Sequence, residues 1–204
     1  MVRPRHSSVT EAKAGKLREA IGILESLGFS GRQSNEVAGY TLLALLNLGP
    51  SQPWKSADAP CCGITPIIAF IAAQYGVRYA PNTRENVRDE AVKFFVEFGM
   101  LIRNPDDPGR PVNSGQTVYQ VEPGALALFK TFATPDWPTK LAKYLDDRNR
   151  LLKTLRRDRR LKRIPVTLPS GKAVTISPGG QNPLIKAVIE SFVLFFLQAE
   201  QFCI

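Results

Sequence analysis

No apolar run in the sequence approaches the roughly 20 residues that a bilayer-spanning helix needs. Phe192 to Leu197, for instance, spans only six residues, so no membrane association is expected. Histidine occurs once, at His6, which leaves histidine-based acid–base or nucleophilic schemes little to work with. Cysteine is nearly as scarce. Cys61 and Cys62 are adjacent and Cys203 is remote, which is neither a metal-ligand spacing nor a disulfide framework. A reducing cytoplasm is the expected setting. Arg3, Arg5 and His6 are not followed by an apolar stretch, so no secretory signal is read. No glycine-rich phosphate loop occurs. A metal-dependent nuclease needs carboxylates for a hard cation and a lysine to assist water. The one acidic–any–lysine triplet is Glu11-Ala12-Lys13, at the wrong end and on a helix. No cofactor is expected on this chain.

What is abundant is positive charge. There are 27 Lys and Arg against 18 Asp and Glu, a net +9, in a chain of 204 residues with 44% apolar content. That composition excludes disorder and leaves room for one generous domain or two small ones. A basic surplus points to a polyanionic partner or to a surface kept soluble, and the total alone does not separate the two. Its distribution says more. From Lys140 to Arg163 there are eleven basic and three acidic residues, whereas the rest of the chain nearly cancels. Arg156, Arg157, Arg159 and Arg160, with Lys162 and Arg163, are too dense for i,i+4 pairing to neutralise. A row of phosphates would neutralise them, with counterion release favouring the contact. The competing reading is a solvated helix joining two domains.

Periodicity orders the elements. Glu11 to Leu27 reads as a helix, with Leu17, Ile21 and Leu24 at helical spacing and Gly28 as its stop. A second helix runs from near Asn35 through Leu48 to Gly49-Pro50. A loop over 51–63 follows, anchored by Trp54. A third helix runs from about Thr65 to Tyr75 and stops at Gly76. The fourth is opened by Asn82 as N-cap, with Glu85 completing a capping box. Val87, Ala91, Phe94, Phe95 and Phe98 form its apolar stripe, and Gly99 closes it. Met100–Arg103 and Thr117–Val121 read as strands around a loop rich in proline, glycine and aspartate. Three helices and then a β-hairpin is the order of a winged helix-turn-helix domain. A short helix over Pro123 to Phe132, a charged helix over Asp136 to Arg163, a hairpin over Ile164 to Ile176 and a helix from Asn182 complete the chain. The expected fold class is therefore mainly α with small β-hairpins. It divides into a helical DNA-binding domain over 1–134, a basic helical linker over 135–163, and a β-hairpin with helix over 164–204.

In a winged helix the helix before the wing enters the major groove, and its first turns approach base edges. Here those turns offer Asn82, Arg84, Asn86 and Arg88, with Arg78 and Thr83 placed to hold the backbone. Arginine bonds a guanine edge in bidentate fashion and asparagine an adenine edge. Arg156, Arg157, Arg159 and Arg160 would clamp phosphates. The alternative for the fourth helix is an ordinary surface laced by salt bridges from Glu85 and Asp89 to Arg84 and Arg88.

Several strings are more specific. Arg32-Gln33-Ser34-Asn35-Glu36, Gly63-Ile64-Thr65-Pro66-Ile67, Tyr79-Ala80-Pro81-Asn82-Thr83-Arg84-Glu85, Arg103-Asn104-Pro105-Asp106-Asp107-Pro108 and Ile164-Pro165-Val166-Thr167-Leu168-Pro169 resemble the BsuBI/PstI family of type II restriction endonucleases. The likeness runs from about Ala20 to Phe192. It implies a helix-turn-helix region acting on a short palindromic duplex DNA site, compatible with a homodimer. It also implies a C-terminal nuclease domain that uses magnesium. That domain is expected to be missing: the strand bearing its first acidic residue does not follow Phe192, and the chain reads Val193 to Ile204 instead. The expectation is a truncated, frame-shifted or split product, inactive as a nuclease alone, with a separately encoded nuclease half as a partner. Two readings stay open beside it: a free-standing winged-helix transcriptional regulator, and an interaction module whose basic helix serves RNA or an acidic protein.

Overall fold

The computed structural model describes residues 6–80, 83–111, 114–161, 164–168, 170–176 and 182–192. Helices dominate, and two antiparallel strand pairs, β1–β2 and β3–β4, complete the architecture. Contacts group the chain into two compact units, 1–146 and 147–204.

In the first unit α1 (His6–Ser26) and α2 (Glu36–Leu45) pack side by side. Ala20, Ile23 and Leu24 of α1 and Leu42, Leu43 and Leu45 of α2 are all fully buried. A single 3-10 turn, Gly31–Ser34, joins the two helices. The Asn35 side chain then caps α2 by accepting from the Ala38 amide at 2.9 Å. The helix stops three residues before the apolar run does. Asn47 takes a left-handed conformation (φ 51°), so the Leu48 amide reaches back to the Leu43 carbonyl and Leu48 still enters the core. The sequence places the end at Gly49-Pro50, because an asparagine can supply the turn that glycine usually makes. Trp54 anchors its loop as expected. It is buried, its Nε1 donates to Glu19 Oε2 at 2.8 Å, and the nearly buried Lys16 donates to the same oxygen.

Helix α3 spans Ile64–Tyr75 and ends on left-handed Gly76. Then comes a continuous helical run over 83–98, made of α4 (Thr83–Asn86), a π-helical stretch (Val87–Val92) and α5 (Lys93–Phe98). The wider π turn inserts a residue into the apolar stripe. Val92 is buried as deeply as Val87, Ala91 and Phe95, while Phe94 and Phe98 are only partly covered. A strict 3.6-residue period does not foresee Val92. Asn82, the expected cap, lies outside the described residues.

Gly99 turns the chain into β1 (Leu101–Arg103), which pairs with β2 (Tyr119–Val121) in the register Leu101 to Val121. Cys62 adds a bridge on the other edge. Its amide donates to the Tyr119 carbonyl at 3.0 Å and its carbonyl accepts from the Tyr119 amide at 2.9 Å. The start of α3 is thereby tied to the strand pair. Helix α6 (Pro123–Phe129) follows.

Helix α7 spans Trp137–Leu161. Trp137, Leu141, Tyr144 and Leu145, at helical spacing, pack against the core of the first unit. The segment set apart in the sequence as a charged linker therefore begins as a core helix, and the two units divide inside it. In the second unit β3 (Ile164–Thr167) and β4 (Ala173–Ile176) form a hairpin around left-handed Gly171. The turn's Pro169 is outside the described residues. Helix α8 (Asn182–Ala187) and a π turn (Val188–Phe192) follow, and Glu190 Oε1 accepts from the Thr167 amide at 2.8 Å. The apolar stretch Val193 to Ile204 is outside the described residues.

Candidate nucleic-acid interface

The bridge from Cys62 to Tyr119 sets three elements around one open groove of about 1030 Å³. The first turn of α3 forms one wall through Gly63, Ile64, Thr65 and Pro66, and residues 114–119 with Arg103 form the opposite side. The third element is the leading part of the 83–98 helix, which contributes Arg84, Glu85 and Arg88. Three guanidinium groups against one carboxylate make its charged lining cationic. The first amides of α3 add the positive end of a helix dipole. Such a surface accepts phosphates, and its arginines can also pair with base edges.

The two walls approach closely at one point. Gly63 lies so close to the opposite wall that a Cβ there would sit 3.2 Å from the Thr117 carbonyl oxygen. The loop between β1 and β2 is clasped by Arg110. Its Nη1 donates to Asn104 Oδ1, Asp106 Oδ1 and the Gln116 carbonyl at 3.2, 3.1 and 2.9 Å, and its Nη2 to Asp106 Oδ2 at 2.6 Å. Buried Asn104 sits in a left-handed conformation (φ 47°), with its Oδ1 also accepting from the Val118 amide at 3.0 Å. These bonds hold the Asp106 carboxyl below the usual carboxylate range, the Arg110 guanidinium being the main cause. The described parts of this loop are thus cross-linked by Arg110 and Asn104.

The residues singled out from sequence divide among three places. Arg84 and Arg88, one turn apart, both line the groove. Arg84 is exposed and makes no ion pair among the described residues. Arg88 is bound by its neighbour Asp89, Nε to Oδ1 at 2.9 Å and Nη2 to Oδ2 at 3.2 Å. Asn86 is exposed too but faces a second hollow, beside Ser30, Arg32, Gln33 and Asp89. Arg78 is exposed after α3 and lines neither. Asn82 is outside the described residues, as is the side chain of Thr83. Arg156, Arg157, Arg159 and Arg160 lie on α7, but their side chains are not among those described. Of the basic residues earlier on α7, Lys143, Arg150 and Lys153 are exposed.

Sequence reasoning does not reach Arg103 or the start of α3 as parts of a site. Both stand in the strings that carry the family resemblance, but only the pairing of Cys62 with Tyr119 shows that they meet. Burial pushes the Cys62 thiol up to about 11, with Cys61 adding to the effect, which favours the neutral thiol over the thiolate. Among the described residues no three His, Cys, Asp or Glu converge to hold a metal ion, and no helix is long and apolar enough to cross a membrane.

Comparison with known proteins agrees with this architecture. The family described as BsuBI/PstI restriction endonuclease HTH domain matches residues 14–153. The chain is 41% identical over 184 residues to the type II restriction enzyme BsuBI of Bacillus subtilis, covering 90% of this chain and 58% of that protein. To the type II restriction enzyme AplI of Arthrospira platensis it is 32% identical over 178 residues, covering 87% and 55%. The solved structure of SdaI restriction endonuclease superposes with a TM-score of 0.60 at 29% identity, covering 85% of this chain and 55% of that one. The chain spans little more than half the length of the curated relatives it matches. With its helix-turn-helix region matched from 14 to 153, the chain belongs to the BsuBI/PstI restriction endonuclease HTH-domain family.

Proposed function

We propose that this chain is the target-recognition part of a type II restriction endonuclease, a winged helix-turn-helix that seats a short palindromic site of duplex DNA in the cytoplasm. One observation supports it most: the helix ahead of the strand pair opens directly into a cationic groove, with Arg84 and Arg88 in its leading turns. Two arginines one turn apart on the wall of one groove, with Arg103 on its opposite side, suit a polyanion. In this reading the 83–98 helix enters the major groove and the β1–β2 loop is the wing. Arg78, Thr83 and the α7 arginines Arg156, Arg157, Arg159 and Arg160 hold phosphates, while Arg84, Asn86 and Arg88, with Asn82, meet bases.

Binding is tested with a salt series on randomised duplexes. Affinity should fall steeply as salt rises. Arg157→Ala should weaken all sequences about equally and lower the salt slope by about one. Negligible binding at low salt would overturn the proposal.

Magnesium, which the family resemblance implies for cleavage, finds no fitting donor set among the described residues, so no step is assigned to it. We infer that these residues alone do not cut DNA and that the catalytic part is further protein, whether a continuation of the same polypeptide or a separate subunit. Leu184, Ile185 and Val188 on α8 and its following turn are 67, 43 and 44% exposed, an apolar face of the kind that further protein covers. Incubating the chain with Mg²⁺ and plasmid DNA should yield no discrete fragments. A discrete digest would refute the inference.

A further inference from the structure

We propose that Arg88 reads guanine and that Asp89 is the positioning residue that makes it selective. The inference rests on the DNA-binding reading above and goes one step further, from a surface to a base.

Residues adjacent in a helix point about 100° apart and do not ordinarily face each other. Here they do. Within the π turn both oxygens of Asp89 meet one edge of the Arg88 guanidinium, at Nε (2.9 Å) and Nη2 (3.2 Å). Guanidinium is planar and carries five N–H donors. Two are taken by Asp89, on the edge nearest the backbone. Three remain, two on Nη1 and one on Nη2, and the parallel pair at the outer end matches guanine O6 and N7.

The placement of the two residues supports this division of labour. Arg88 lines the cationic groove, whereas Asp89 lines the separate hollow with Asn86 and Glu90. The carboxylate takes the Nε edge of the guanidinium and leaves the Nη1 end, on a residue that lines the groove, without a bond to Asp89. Both side chains are about half exposed, so the pair adds little to folding stability. What it supplies is orientation: an arginine already held flat loses less freedom on binding. Asp89 also brings a negative charge near the DNA backbone, which penalises any complex in which Arg88 does not find its acceptors. Arg84 lines the same groove without such a partner among the described residues. The structure thus distinguishes an arginine held by a carboxylate from one without such a partner among the described residues.

The test is binding-site selection from a randomised duplex library, followed by anisotropy titrations of the full chain on the selected duplex and its single-base-pair variants. The parent chain should require guanine at one position, by roughly 5- to 150-fold over other bases. Arg88→Ala should flatten that position alone. Asp89→Asn should reduce the same preference several-fold while leaving or raising affinity for unrelated duplex, since a negative charge is removed. Arg88→Lys, a point charge without a fork, should not restore the preference. Thermal melts of all three should match the parent, because the positions are exposed. The inference is overturned if Asp89→Asn keeps the base preference intact, or if Arg88→Ala weakens all sequences alike, the behaviour of a phosphate contact. A parent chain that binds no DNA overturns the DNA reading itself; one that binds without a guanine requirement overturns only this inference.

Discussion

Arg84→Ala is expected to relax sequence preference at one base pair while leaving the protein as stable as before. Arg84 stands in the first turn of α4, exposed, on the wall of the groove. A bidentate arginine–base contact is worth about 1–3 kcal/mol of discrimination, or roughly 5- to 150-fold. Truncating an exposed side chain with no ion pair among the described residues changes stability by at most about 0.5 kcal/mol. The two readouts should therefore separate: selection experiments shift and thermal melts do not. Lost affinity spread evenly over all sequences would reassign Arg84 to the phosphates. The same experiment weighs the competing salt-bridge account of this helix, which the geometry supports only by half. Arg88 is engaged by Asp89 as that account requires, but Arg84 makes no such pair among the described residues.

The helices are legible where punctuation is local. Pro66 in the first turn of α3, Gly76 at its end and Gly99 after α5 state their turns in one or two residues. Asn47 escapes a sequence reading because a left-handed asparagine looks like any other polar residue. The π turn escapes it for a different reason. Val87, Ala91, Phe94 and Phe95 satisfy a regular helix so well that the pattern hides the extra residue, and only the burial of Val92 reveals it. In α7 the charge draws attention from Trp137, Leu141, Tyr144 and Leu145, a stripe that is present in the sequence and marks the helix's packed beginning.

The site is legible in part, for one physical reason. Arg84 and Arg88 are one turn apart, so helical spacing alone puts them on a common face. Asn86, halfway between, must point elsewhere, and it lines the other hollow. Spacing by itself argues against treating all three as one row of readers. The groove's other walls depend on long-range pairing. Nothing near Gly63 or Arg103 says that the start of α3 meets β2, because the two hydrogen bonds between Cys62 and Tyr119 span the intervening fifty-odd residues. Arg110 is a middle case. Its bond to Asp106 is four residues away, but its bonds to Asn104 and Gln116 exist only once the loop has closed.

Phe95→Ala should have the largest effect on stability. Phe95 is fully buried on the helix that carries Arg84 and Arg88, with the Phe29 ring edge-on to it at 5.6 Å and Phe29 in turn 5.0 Å from Phe98. Its carbonyl also accepts from the Gly99 and Met100 amides, where the helix turns into β1. The substitution leaves those backbone bonds and removes the ring, opening a cavity between the 83–98 helix and the turn after α1. Phenylalanine-to-alanine changes in cores cost about 3–5 kcal/mol, against a total of about 5–15 kcal/mol for a typical domain. For a unit of this size the melting temperature should fall by roughly 10–20 °C, read by circular dichroism; a fall of only a few degrees would show that the ring is not a keystone of this core. The effect on DNA should differ in kind from that of Arg84→Ala. At temperatures where the variant is partly unfolded and the parent is not, every duplex is bound less tightly by the same factor, while the ranking of sequences stays as it was. A reader and a core residue on the same helix are thus told apart by whether the preference moves or only the amount of protein able to express it.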